Sequence, residues 1–213
     1  MAAYSLAMAS VILGVAIFPM LPALVPTHWN AFGQVDAFGP SWVGAFLIPA
    51  LMIFIALLFA GIPKIDVMKE NFKHFKRPYW ALCFVIELFF LILFELTLLP
   101  NFGFSFNFFQ FLLFPAALLF ISIGFLLPSF KRNFFVGIRT PWTLSSDEVW
   151  DKTHRFGGKA FFFAGTAIIA SLPYPKAILI VTIAVTVSAV ANSVLFSFLE
   201  FRKIEKELTP TFP

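Results

Sequence analysis

The sequence predicts an all-α polytopic membrane protein: a bundle of about six transmembrane helices with both termini cytoplasmic. Three observations predict it. Of 213 residues, 60% are hydrophobic and only 12% are charged, whereas a soluble domain is roughly a quarter charged. The apolar residues gather in runs close to the ~20 residues that a helix needs to cross a bilayer. All but one of the 15 Lys and Arg fall in segments that such crossings put on one side, as the positive-inside rule requires.

The runs are 3–24, 41–61, 79–99, 106–127, 158–174 and 176–199. No basic residue precedes the first, unlike a secretory leader, so it is read as a retained helix. The fifth is short and is parted from the sixth by Pro173, Tyr174 and Pro175. It needs Lys159 to snorkel or the bilayer to thin, and five spans plus a re-entrant segment is the alternative. The chain accordingly divides into three regions. Residues 1–61 hold two helices around an external loop at 23–40, and 62–127 hold two more helices. Residues 128–213 hold a cytoplasmic connector at 128–157, two helices and a short tail.

The loop 62–78 carries Lys64, Lys69, Lys73, Lys76 and Arg77, and 128–159 carries Lys131, Arg132, Arg139, Lys152, Arg155 and Lys159. The tail adds Arg202, Lys203 and Lys206, against Lys176 alone on the opposite side. The pI of about 9.3 thus reflects topology in a bilayer, and no direct nucleic-acid contact is expected. Trp29, Trp42, Trp80 and Trp142 fall near helix ends, where an aromatic belt belongs. The single cysteine, Cys83, lies within an apolar run, so neither an intrachain disulfide nor a cysteine metal cluster is available.

Three constellations are candidates for function. In the connector, Ser145 and Glu148 read as a capping box that starts a helix at Ser146, and Gly157 and Gly158 should stop it. That helix either lies on the headgroup boundary through Val149, Trp150 and Phe156 or presents a docking surface. A third reading has Asp147, Asp151 and His154 on one face as metal ligands, without the second histidine or HExxH pattern that specifies zinc. In the external loop, His28, Trp29, Asn30 and Asp36 could recognise a ligand, or His28 and Asp36 could satisfy one another. Within the membrane, Glu87, Glu95 and Asn192 are polar groups that are costly in lipid. Glu87 and Asn192 fall at similar depth and are candidate partners, and Glu95 could share a level with Asn107 and Gln110. Either they lock the bundle by hydrogen bonds or they form a proton or ion path. Nucleophile elbows and phosphate loops are absent from the sequence.

The run NFFVGIRTPWTLSSDEVWDKTHRFGG, Asn133 to Gly158, strongly resembles the SdpI family of bacterial and archaeal membrane proteins. The match takes in Asn133, Gly137 through Leu144, Trp150, Lys152 through Arg155, and Gly157. The stretch with Pro26, His28, Asn30, Gly33 and Asp36 is similar to the DUF1648 domain that often precedes it. The resemblance implies a multi-pass protein of the immunity type. In the best understood member of the family, that means protection from a secreted toxic peptide and capture of a cytoplasmic repressor at the membrane. By matching position, Arg139, Trp142, Trp150, His154 and Arg155 become candidates for the cytoplasmic partner surface. The expected function is non-enzymatic immunity or signalling, with the lipid bilayer, an external antimicrobial peptide toxin and a cytoplasmic repressor as partners, and with no cofactor and no metal. The alternatives are a small transporter using Glu87 and Glu95, and a metal-dependent membrane enzyme with a metal near His28 or His154.

Overall fold

A computed structural model of the chain describes residues 2–208. Helices α1 (Ala2–Ile17), α2 (Ser41–Ile65), α3 (Phe72–Leu98) and α4 (Phe108–Leu126) occupy the first four apolar runs. A short α5 (Pro141–Ser145) leads into α6 (Asp147–Ser171), and α7 (Ile178–Leu208) closes the described chain. Among the described residues five helical stretches are long and apolar enough to cross a membrane: Ala3–Met20, Ser41–Ile65, Lys69–Phe102, Phe108–Ser129 and Ile178–Glu207. Their outward faces keep large apolar side chains such as Ile12, Phe125 and Ile180 exposed, an extent of apolar surface that suits lipid and not water.

The structure corrects the sequence reading of the secondary structure in three places. The loop at 23–40 is an antiparallel hairpin of β1 (Leu24–Trp29) and β2 (Val35–Pro40), so the fold is not purely helical. Its turn is built by Asn30, whose Oδ1 accepts from Phe32 N at 2.9 Å and Gln34 N at 3.1 Å, and by Gly33 at φ 74°. This is the three-residue hairpin loop closed by a left-handed glycine.

The second correction concerns the fifth run, which is not a helix of its own. Residues 158–171 are the second half of α6, whose charged first half lowers the average hydropathy. Gly157 and Gly158 lie inside that helix and do not stop it. Gly158 and, later in the same helix, Gly165 are small because the backbone of α4 touches them: a Cβ on Gly158 would sit 2.7 Å from Gly124 O, and one on Gly165 would sit 2.6 Å from Ala117 O. Close backbone approach is how transmembrane helices associate. It offsets the helix-propensity cost of about 1 kcal/mol that each glycine carries.

The third correction is a shift of the helix cap. Ser146, not Ser145, caps α6, accepting from Val149 N at 3.3 Å. The capping box belongs to Thr140 and Thr143 of α5, where Pro141 supplies the preset φ of a first helical residue.

The loops gather at two opposite ends of the bundle. At one end the α2–α3 loop is stitched to the connector: Asp66 Oδ2 accepts from Phe134 N at 2.9 Å, and Asn71 Nδ2 donates to Arg132 O at 2.7 Å. At the other, Asn107 Nδ2 donates to Phe32 O of the hairpin at 3.1 Å, and Gln110 Nε2 donates to Leu172 O at 3.0 Å. Ala3 of α1 shares a core cluster with Trp150, and Lys152 reaches Glu200 of α7 at 3.5 Å. Both ends of the described chain therefore lie at the connector end. That core cluster, built on Phe72, Phe75, Tyr79, Phe130 and Trp150, anchors the connector to α3.

Candidate functional site

The connector is a folded clamp. Asn133 is fully buried and uses its whole carboxamide: Oδ1 accepts from Phe135 N and Val136 N, and Nδ2 donates to Lys131 O and Val136 O, all between 2.7 and 2.9 Å. A buried amide in that state costs little, whereas an unsatisfied one costs several kcal/mol. The chain then turns at Gly137, φ 117°, and passes directly over His154.

His154 is held from three sides. Its Nε2 accepts from Ile138 N at 3.0 Å, and its Nδ1 lies 2.8 Å from Trp150 O. An N–H donor on one nitrogen and a carbonyl on the other assign the tautomer: Nδ1 carries the proton and the ring is neutral. The ring stacks on Trp150 at 4.0 Å, and Trp150 Nε1 donates to Phe130 O at 2.8 Å. Burial pushes the His154 pKa down to about 4, outweighing the opposing effects of Trp150 O and Asp151. Thr140 adds a link to α7, 3.0 Å from Ser197 Oγ. Thr143 Oγ1 donates to Ile138 O at 2.8 Å.

Of the expected cytoplasmic candidates, Trp150 and His154 are therefore interior supports and present no face to a partner. Both side chains are almost fully buried. Val149 is fully buried too, and Phe156 stacks on Phe196, so this helix face is core and not headgroup boundary. Arg139 and Arg155 are exposed, and Trp142 lies half-buried against Phe198. The connector acids are committed to nearby bases: Asp147 to Arg132 at 2.9 Å, Asp151 to Lys131 at 3.2 Å, Glu148 to Lys152 at 2.9 Å. The metal reading from Asp147, Asp151 and His154 has no convergent donors. Among the described residues no group of three or more His, Cys, Asp or Glu is placed to hold a metal ion.

At the hairpin, His28 Nδ1 and Asp36 Oδ1 pair at 2.5 Å and both stay exposed. Trp29 stacks on Phe108 at 4.0 Å and Asn30 builds the turn, so these two shape the hairpin while His28 and Asp36 face outward.

Within the bundle, Glu87 is fully buried and neither carboxylate oxygen has a hydrogen-bond partner. The expected pairing with Asn192 is not formed. Asn192 is exposed and donates to Ser188 O and Oγ on its own helix. The reason is helix order: α3 packs against α1, α2 and α4, whereas α7 packs against α6. Glu95 is exposed, and Asn107 and Gln110 are engaged with the hairpin and the α6–α7 turn. The sequence reading missed Asp66, which is buried and also accepts from Met68 N at 2.6 Å. Its signal was an acid alone in the approach to a strongly basic loop, in the i, i+2 pattern of an Asx-turn.

Residues 129–197, which contain this clamp, match the SdpI/YfhL protein family. Residues 6–53, which contain the hairpin, match a domain of unknown function, DUF1648. Over 201 residues the chain is 25% identical to the immunity protein SdpI of Bacillus subtilis (strain 168), covering 92% of each sequence. No solved structure matches. The stretches similar to SdpI and to DUF1648, with the five apolar helices among the described residues, together describe a multi-pass membrane protein. The SdpI match holds Arg139, Trp142, Trp150, His154 and Arg155, and the DUF1648 match holds His28, Trp29, Asn30 and Asp36.

Proposed function

We propose that this protein is a membrane immunity protein that binds an external peptide toxin at the hairpin end and engages a cytoplasmic regulator at the connector end. The observation that carries this reading is the clamp. The connector is bonded to the α2–α3 loop and to α7 and runs into α6, and in this reading a shift of the helices at the hairpin end is carried along them to Arg139, Trp142 and Arg155. Such coupling requires the ligand to favour one arrangement of the helices. The similarity to an immunity protein over nearly the whole chain supports the same reading.

We read the second half of α6 as a sixth crossing. Gly158 lies beside Gly124 and Leu172 bonds to Gln110, so α6 follows α4 for most of its length. These residues span about 21 Å at 1.5 Å per residue, a large part of the ~30 Å hydrocarbon core. The concentration of basic residues at the connector end makes that end cytoplasmic. The reading involves no catalysis and no cofactor.

Cells expressing the protein are expected to survive a membrane-active peptide that kills the parent strain. The His28→Ala, Asp36→Ala double variant should lose about tenfold of that protection, the equivalent of about 1.4 kcal/mol of ligand affinity. Equal survival with and without the protein across a panel of such peptides removes the proposal. The transport alternative rests on Glu87 alone, since Glu95 and Asn192 lie apart from it. Proton or ion flux in proteoliposomes that Glu87→Gln abolishes would replace the immunity reading with that one.

A further inference from the structure

Beneath the connector, a cavity of about 320 Å³ opens between the Gly137–Thr140 segment, α6 and α7. Its walls include Ile138, Phe161, Val190 and Val194, and the two valines are exposed on the lipid-facing side of α7. Two polar wall groups are already committed: Thr140 Oγ1 to Thr143 N and Ser197, and Ser193 Oγ to Ala189 O. The exception is Arg139 at the rim. Its Nη1 donates to Phe134 O at 2.6 Å, which fixes the side chain and leaves most of its five N–H donors unused. Among the described residues no carboxylate pairs with it. The neighbouring acids Asp147, Glu148, Asp151 and Glu200 lie against Arg132, Lys131, Lys152 and Lys203.

We propose that this cavity is a binding site for one anionic phospholipid, with the headgroup phosphate on the Arg139 guanidinium and an acyl chain along Phe161, Val190 and Val194. A guanidinium fork matches phosphate oxygens in a two-point contact. An apolar trough leading from it towards the membrane suits a chain-bearing phosphate and has no use for a free one. The lipid would sit between the Gly137–Thr140 segment and α7, where it braces the clamp. This does not depend on the toxin or the regulator proposed above.

The test uses the full-length protein, delipidated in detergent and offered phosphatidylglycerol or phosphatidylcholine, with bound lipid counted by native mass spectrometry. Wild-type protein should retain one phosphatidylglycerol in preference to phosphatidylcholine, because both carry the phosphate but the guanidinium repels the choline ammonium. Arg139→Gln should lower that preference roughly tenfold, the loss of one charge-assisted contact, and Arg139→Lys should keep part of it. Lys206→Gln, the same charge change in the tail, should keep all of it. The proposal is overturned if the wild type shows no preference, if Arg139→Gln binds as the wild type does, or if inorganic phosphate displaces the lipid as effectively as added phosphatidylglycerol. It is also overturned if Arg139→Gln lowers thermal stability equally in both lipids with the preference intact, which would make Arg139 a brace for Phe134 alone.

Discussion

Gly137→Ala should unfold the connector at a lower denaturant concentration than any other single methyl addition to the GIRTPWTL run. Two costs add. The residue sits at φ 117°, a region where a side chain costs about 1–3 kcal/mol. The new Cβ would also collide with His154 Nε2 and lie 3.2 Å from Trp150 Cζ2, an overpacking that costs about 1–3 kcal/mol. His154 cannot swing aside without giving up Ile138 N and Trp150 O, and Trp150 cannot without giving up Phe130 O. A total near 2–6 kcal/mol is expected, measured by unfolding in detergent with Trp fluorescence. A Gly137→Ala protein as stable as the wild type would mean that the turn over His154 is not held as described.

Acid should loosen the same clamp before it affects the apolar bundle. In the folded chain His154 keeps a pKa of about 4 against an ordinary 6.5, because burial resists the charge and Nε2 is already an acceptor. Between those values the unfolded chain binds a proton that the folded one refuses, so stability is full above about pH 6.5 and declines as the pH falls towards 4. The shift corresponds to about 3 kcal/mol. Stability measured across that range should fall in the wild type and fall less in His154→Gln, which lacks the titrating ring. A flat wild-type profile would rule out a neutral, proton-refusing His154. The sites of this linkage and of Gly137→Ala are in contact, so their effects should not add.

How much could be read from the chain alone varies by kind of feature. The apolar runs gave α1 to α4 and α7 nearly at their observed positions, because crossing lipid demands length and hydropathy, both of which are written locally. The segregation of Lys and Arg matched the two loop clusters that the structure shows at one end of the bundle. The hairpin was hidden because Pro26 and the polar residues around it argue against a strand. Gly157 and Gly158 were misread as breakers because nothing local distinguishes a glycine that ends a helix from one that lets another helix approach. Glu87 and Asn192 looked like partners by depth, yet depth does not say which helices are neighbours.

The candidate site shows the same division. The sequence by itself determined that this is a membrane protein, where its apolar spans lie, and that the Asn133–Gly158 run is unlike the rest. Each follows from composition and order along the chain. Only the tertiary structure decided that Trp150 and His154 are the core of the clamp, that Arg139 stands at the rim of a cavity, and that Asp66 and Asn71 tie a distant loop to it. Those facts depend on hydrogen bonds between residues up to 68 positions apart and on packing between residues further apart still. No local pattern encodes such a partner, because the free energy that fixes it belongs to the assembled bundle.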